Sequence, residues 1–379
     1  MPPRHARRRA ARLLPLAALA ASALLQAAPP AAQAPYAEAR RIVGDAQALV
    51  APGSVQAQHL VELGGVRQWI SVRGADRDNP ILLYLHGGPA APMMPASWTF
   101  QRPWEDYFTV VQWDQRGAGR TYRENDPDAV APTLAIDRYV ADAIELIDWL
   151  RATYGKRKVV LLGHSWGTVI GMRVLVERPD LLHAYVGLGQ IIHPQADEAI
   201  GYRYALERAR AEGHREAIAE LEALAPYPGD DLRNGRIDAQ RKWVIHYGGH
   251  SAYRDDSGYY FRAQRLSPDY DADDRHAIAA GSALTLDRVL GQWPGLDFTR
   301  VRRVGAPVVM LMGRHDYTTP SEPVADWLAA VEAPYKHGAW FEHSAHFAPL
   351  EEPGRTLLTL VQHVRPLAVA AGDGRAPED

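Results

Sequence analysis

The chain contains no cysteine among its 379 residues, which excludes disulfides, thiolate metal sites, a thiol nucleophile and a lipid anchor on an N-terminal cysteine. Neither sign of charge is in excess. The 42 Lys and Arg residues against 45 Asp and Glu leave a net charge of −3, and past the N-terminus the basic residues are dispersed, so nothing marks a nucleic-acid partner. Metal-ligand spacings are also missing: the histidines do not fall as His-Glu-x-x-His or in another ligand pattern, and no metal or cofactor is expected. No repeat of fixed period is visible. What is abundant is apolar content, 47%, enough for one large α/β domain with an insertion, or for two domains.

The N-terminus differs from the rest. Arg4, Arg7, Arg8, Arg9 and Arg12 precede the apolar run Leu13 to Leu25, which is too short to span a bilayer comfortably and leads to the small-x-small site Ala32-Gln33-Ala34. Residues 1–34 are therefore expected to be a secretory signal peptide and the protein to be periplasmic or secreted; an uncleaved N-terminal membrane anchor is the alternative.

The most informative stretch is Gly163-His164-Ser165-Trp166-Gly167. It fits Gly-x-Ser-x-Gly, a sharp strand-to-helix turn that exposes a serine hydroxyl and needs glycines where side chains would clash. Its context agrees. The apolar run Lys158 to Leu162 precedes it, and a buried helical stretch, Thr168 to Arg178, follows and stops before Pro179.

Alternating residues from Val55 to Val72 around Gly64-Gly65 predict an antiparallel hairpin at a sheet edge. Short apolar runs recur at Ile81 to Leu85, Phe108 to Trp113, Val159 to Leu162, Tyr185 to Leu188, Pro307 to Met312 and His337 to Phe341, with a helical stretch at Ile136 to Tyr154. This predicts an α/β fold with a mostly parallel sheet covered by helices on both faces. The interval from Leu188 to Pro307 exceeds any simple crossover and must hold an insertion. The expected organisation is a linker over 35–53, a core over 54–189, a mainly helical cap insertion over 190–303, the rest of the core over 304–370, and a polar tail over 371–379. Within the insertion, Ala196 to Leu224 reads as helical. Most of the aromatics Trp243, Tyr247, Tyr253, Tyr259, Tyr260, Phe261, Tyr270 and Trp293 are expected to form the insert's own small core.

A serine hydroxyl is a weak nucleophile at neutral pH, so it needs a histidine base and a carboxylate to orient that base. Around such an elbow the chain order is nucleophile, acid, histidine. Asp316, just past the apolar run ending Met312-Gly313, fits the acid, and His346 in His343-Ser344-Ala345-His346 fits the base, with His343 the competitor. His164 and His315 adjoin these residues but are expected to point away from them. Acyl transfer also needs two backbone donors for the developing oxyanion. Trp166 supplies one amide. Gly88, or else Gly87, in His86-Gly87-Gly88-Pro89 supplies the other, with Gly87, Pro89 and Trp166 expected beside the substrate.

Together His86-Gly87-Gly88-Pro89, Trp113-Asp114-Gln115-Arg116-Gly117, Gly163-His164-Ser165-Trp166-Gly167, the Asp316 loop and the His346 segment resemble the proline iminopeptidase branch of the α/β-hydrolases. The likeness runs over Leu60 to Gly189 and Val304 to Leu358. It implies a helical cap between the sixth and seventh strands, a triad of Ser165, Asp316 and His346, and an active-site floor shaped by Asp114, Arg116 and Gly117. The implied reaction is release of an N-terminal residue, often proline, from short peptides. An esterase, lactonase or amidase on the same scaffold, and a non-catalytic binding protein, are the alternatives. Ala90 and Ala345 stand where the family usually has glycine, and the family's cap elements, which hold the substrate's α-amino group, are not found. Asp197, Glu198, Asp255 and Asp256 lie in the insertion, where a substrate ammonium or plain solvation accounts for each. The expected partner is a small molecule or short peptide, with no nucleic acid and no stable membrane insertion after cleavage; nothing specifies an oligomeric state.

The leader predicts export with cleavage after Ala34, or after Ala27 or Ala28 because Pro35 follows Ala34 directly. N-terminal sequencing of the exported protein reads the cut, and a chain still beginning at Met1 would remove the signal-peptide reading.

Overall fold

The computed structural model describes residues 36–374; the leader expected over 1–34 lies outside the described residues. The strands β1 (Val55–Leu63) and β2 (Val66–Gly74) form an antiparallel hairpin whose turn glycines, Gly64 and Gly65, have φ of 53° and 73°. Two successive positive φ values are what a two-residue hairpin turn requires, and glycine adopts them without strain. The apolar runs become β3 (Ile81–Leu85), β4 (Thr109–Trp113), β5 (Val159–His164), β6 (Leu182–Leu188), β7 (Val308–Gly313) and β8 (Lys336–Phe341). All eight join one sheet in the order β1-β2-β4-β3-β5-β6-β7-β8, antiparallel through the first three strands and parallel thereafter.

The central strands are apolar on both faces because both are covered. Leu83, Leu85, Leu161, Tyr185 and Met310 pack against Leu146, Ile147, Val169 and Ile170 of the helices Ile136–Tyr154 and Trp166–Glu177. Leu82, Tyr84, Leu162, Val186 and Leu311 face the other way, onto Phe347, Leu360 and Val364. A buried ion pair ties the hairpin to this core: Arg116 donates from Nε to Asp142 Oδ2 at 2.8 Å and from Nη2 to the carbonyls of Leu63 and Gly64, both at 3.0 Å. Removing one partner of such a pair strands a buried charge and costs about 3–5 kcal/mol.

Between β6 and β7 lies the insertion, with helices Pro194–Glu212, Arg215–Ala223, Arg236–His246 and Ala272–Leu290 and shorter turns. Three expectations need correction. The helical stretch Ala196 to Leu224 is two helices, broken at Gly213 with φ of 67°. The linker expected over 35–53 contains a helix, Ala37–Ala46, in which Arg40 Nε donates to the Ser267 carbonyl at 2.7 Å; its Ala, Glu and Arg residues favour helix, and Ala39, Ile42, Val43 and Ala46 share one face. The tail expected from residue 371 is anchored by Asp373, which accepts from the amides of Arg157 and Lys158 at 2.8 and 3.0 Å and lies 2.8 Å from His183 Nε2.

The insert's aromatics also divide differently from expectation. Trp243 and Tyr247 pack with Ala205, Ala209 and Leu221 in a small core of their own. Trp293 joins the main core beneath the sheet's covering helices, Tyr260 joins its other face, and Tyr270 donates to the buried carboxylate of Asp114. Tyr253 and Phe261 are exposed. A small insert cannot bury eight rings by itself, so it borrows the core's surface.

Candidate active site

Ser165 sits at the turn between β5 and the helix Trp166–Glu177 with φ 54° and ψ −123°. Close approach makes this strained backbone possible. A Cβ on Gly167 would lie 2.1 Å from the Leu85 carbonyl oxygen, and one on Gly163 would lie 2.7 Å from the Gly167 oxygen, so glycine is the residue that fits at both. The Ser165 amide donates to the Leu188 carbonyl at 2.9 Å, which pins the turn to the end of β6.

Asp316 follows β7. Its Oδ1 accepts from the amides of Thr318 and Thr319, both at 2.9 Å; its Oδ2 accepts from Thr319 Oγ1 at 3.0 Å and lies 2.8 Å from His346 Nδ1. An ionised carboxylate only accepts, so Nδ1 carries the proton and Nε2 is left as the basic nitrogen. Room for the imidazole comes from Gly189, where a Cβ would stand 2.8 Å from His346 Cε1. Ser165 and His346 line one cavity of about 260 Å³ together with Gly87, Gly88 and Pro89. The Trp166 amide, at the helix N-terminus, has no partner within its own helix. Its indole points away from the cavity and donates to Gln115 Oε1 at 3.1 Å.

Gln115 is a residue that the sequence did not single out. Besides accepting from Trp166, it donates from Nε2 to the His86 carbonyl at 3.0 Å, and its amide donates to His86 Nε2 at 3.2 Å. It therefore couples the His86-Gly87-Gly88-Pro89 loop to the elbow helix. Burial pushes the His86 imidazole down to about 4, and a neutral ring is what lets Nδ1 donate to the Gly87 carbonyl at 2.8 Å while Nε2 accepts. The floor expected from Asp114, Arg116 and Gly117 is not where those residues lie. Arg116 turns into the hairpin, and Asp114 accepts from the Arg120 amide at 2.8 Å and from Tyr270, outside the cavity lining.

The histidines next to the elbow and acid also sort themselves. His315 points away, with Nε2 3.0 Å from the exposed Tyr253 hydroxyl, and His343 is exposed with Nδ1 3.2 Å from that same hydroxyl. His164 does not point away. Its Nε2 lies 3.0 Å from the His346 carbonyl oxygen, and its ring packs 4.9 Å from the His346 ring at the cavity wall.

Ile191, Ile237, Leu286 and Trp293 give the cavity an apolar wall, and its polar end comes from the insertion. Glu198 is fully engaged: Oε1 accepts from Arg241 at 2.5 Å and Oε2 from the Tyr227 hydroxyl at 2.6 Å. Asp197, beside it and 3% exposed, makes no hydrogen bond through either carboxylate oxygen, and the Ile192 backbone gives it only weak support. Burial, then the charges of Glu198 and Asp316, hold its carboxyl well above the usual range. Solvation thus does not account for Asp197 or Glu198, whereas Asp255 and Asp256 are exposed. The legible signal was position: both follow shortly after the C-terminal end of β6, where α/β sheets bind ligands.

The family model that describes the alpha/beta hydrolase fold matches residues 80–353. The chain is 31% identical over 309 residues to the protein named Probable aminopeptidase YbaC of Bacillus subtilis (strain 168), covering 80% of this chain and 95% of that protein. It is 26% identical over 256 residues to Proline iminopeptidase of Neisseria gonorrhoeae, 65% of this chain and 76% of that protein. Among solved structures, a proline iminopeptidase of Mycobacterium smegmatis superposes with a TM-score of 0.58 at 19% identity, over 83% of this chain and 100% of that one, a likeness of fold.

Ala90, which stands where the resembled family usually has glycine, has φ of 58°. A left-handed conformation costs an L-residue roughly 1–2 kcal/mol, offset in part because glycine loses more chain entropy on folding. Ala90→Gly is therefore expected to stabilise the protein by roughly 0.5–1 kcal/mol. A melting temperature that falls instead would show that the loop carries no such strain.

Proposed function

The chain belongs to the α/β-hydrolase fold family, and from that premise we propose that it is an exported serine aminopeptidase releasing N-terminal residues of the proline type from small peptides. A serine, histidine and acid of this kind would accept esters and amides alike, so selectivity is assigned to the insertion. The observation that carries the reading is Asp197: a buried carboxylate without a hydrogen-bonding partner, at the polar end of the cavity that Ser165 and His346 line. Burial and the neighbouring negative charges oppose its ionised form, and a substrate ammonium is the group that would favour that form. Because Glu198 is engaged by Arg241 and Tyr227, Asp197 is the member of this adjacent pair whose oxygens are left without partners. A prolyl ammonium has two N–H bonds to place there.

In the proposed mechanism Ser165 Oγ attacks the carbonyl of the first residue while its proton passes to His346 Nε2. Asp316 accepts from Nδ1–H and stabilises the imidazolium that forms. The amides of Gly88 and Trp166 donate to the oxyanion. The intermediate collapses as His346 returns the proton to the departing amine. Water, deprotonated by the same histidine, then hydrolyses the ester on Ser165. No metal enters any of these steps.

Because these groups act as a unit, Ser165→Ala and His346→Ala are each expected to lose at least about a thousandfold in turnover with the fold intact, and His343→Ala to lose little. The reverse result for the two histidines would reassign the base. Unblocked proline or alanine anilides are expected to be cleaved faster than their N-acetyl forms. Equal rates on both, or activity on aryl esters alone, would move the protein to the esterase reading.

Asp197 also links function to stability. Its carboxyl binds a proton more tightly folded than unfolded, so the native state loses stability as pH rises from the ordinary carboxylate range through the raised value. Asp197→Asn is thus expected to melt higher at neutral pH while losing the preference for free over acetylated amines. A variant that melts lower and keeps that preference would take Asp197 out of the substrate site.

A further inference from the structure

One segment of the insertion, residues 248–252, is bonded into both loops that carry the proposed acid and base. The Gly249 carbonyl accepts from the amides of Tyr317 and Thr318 at 2.9 and 3.1 Å and from Thr318 Oγ1 at 3.2 Å, so it braces the loop of Asp316. The His250 carbonyl accepts from the amide of His346 itself at 3.2 Å. Ala252 donates to Glu351 Oε1 at 2.6 Å, and the other oxygen of that carboxylate accepts from Ala345 at 2.8 Å. The His250 ring then lies over the His346 ring, with centroids 5.3 Å apart and planes 26° apart. On its far edge Nδ1 is 2.6 Å from Ser257 Oγ, which is 2.9 Å from Ser251 Oγ.

We propose that His250 is a positioning residue for His346: its ring and carbonyl seat the proton-transferring imidazole, so that the base is competent only while this part of the insertion is docked. The inference rests on the triad reading above. A stacked partner restricts the rotation of the imidazole about its side chain, and Ser257 in turn restricts the partner. His250 must also stay uncharged, because an imidazolium at this separation would oppose the positive charge that develops on His346. Its surroundings enforce that. Burial drives its pKa well below the ordinary histidine value, and the charges of His346 and Arg241 act in the same direction, with His164 adding to them. Asp316 meets the His346 ring at its Nδ1 edge, and Glu351 is occupied by three backbone amides. The other neighbour on this side, Phe347, is apolar and packs 4.7 Å from the His250 ring.

The test is the second-order rate at which a fluorophosphonate labels Ser165 in the full chain, measured against pH, with melting temperatures for each variant. This reaction needs the base but no particular substrate. His250→Phe keeps a ring without the Ser257 bond and is expected to label about tenfold to a hundredfold more slowly, as small misplacements of a catalytic group do. Ser257→Ala, which leaves the ring in place, is expected to lose several-fold while melting like the parent. His250→Lys places a charge beside His346 and is expected to shift the acid limb of the rate down by about one to two pH units. Parental rates in all three variants, or a slower His250→Lys whose acid limb has not moved, would overturn the proposal and leave the triad standing. A parent chain that is not labelled at Ser165 would remove the triad reading and this inference together.

Discussion

Everything at the site depends on one close contact, that of the helix Trp166–Glu177 against the ends of β3 and β5. With only a hydrogen on Gly167 facing the Leu85 carbonyl, the helix can start directly at the strand end, and Ser165 is forced to the tip of the turn at φ 54°. Strain of this kind costs of order 1–3 kcal/mol and persists where surrounding structure over-determines it. Here the surroundings are specific: the Ser165 amide is held by Leu188 and the helix start is held by Gln115 through the Trp166 indole. The same Gln115 grips His86, so the loop bearing Gly87 and Gly88 is set relative to the serine by one side chain.

Burial then acts on several of the titratable groups around the serine. His86, His164 and His250 are all driven toward the neutral form by desolvation, which leaves His346, next to Asp316, as the ring with a carboxylate to support a proton. Desolvation acts on Asp197 with the opposite sign for charge but the same cause. Glu198, equally buried, accepts instead from Arg241 and Tyr227. The contrast between these adjacent carboxylates is informative: one is satisfied by its neighbours, and the other has two oxygens without hydrogen-bond partners.

The sheet and the strand-to-helix elbow were legible because each is written locally. Runs such as Ile81–Leu85 are bounded by turn residues, and an elbow needs its glycines at fixed offsets. The insertion was legible as a mainly helical interval, and no further. Its rings could not be apportioned, because whether Tyr270 packs at home or reaches Asp114 depends on contacts some 156 positions apart. Arg116 was misplaced for a related reason. A motif can show that an arginine matters, and only the fold shows that its partner is Asp142 on a distant helix. Gln115, between two conspicuous neighbours in Asp114-Gln115-Arg116, carries no charge and no periodic signal, yet it is the member of that motif that touches the elbow.

Chemistry and selectivity are therefore less separable here than a core-and-cap division suggests. In a simple division the core would hold the acid and base, and the insertion would shape the cavity. Instead the carbonyls of Gly249 and His250 receive bonds from the segments carrying Asp316 and His346, and Tyr270 and Arg40 anchor the insertion back onto the core and the N-terminal helix. A displacement of the insertion would break backbone bonds at the loops of both Asp316 and His346, as well as opening the wall formed by Ile237, Leu286 and Trp293. In the mechanism proposed above, substrate access and the orientation of His346 are therefore tied to the same docking of the insertion.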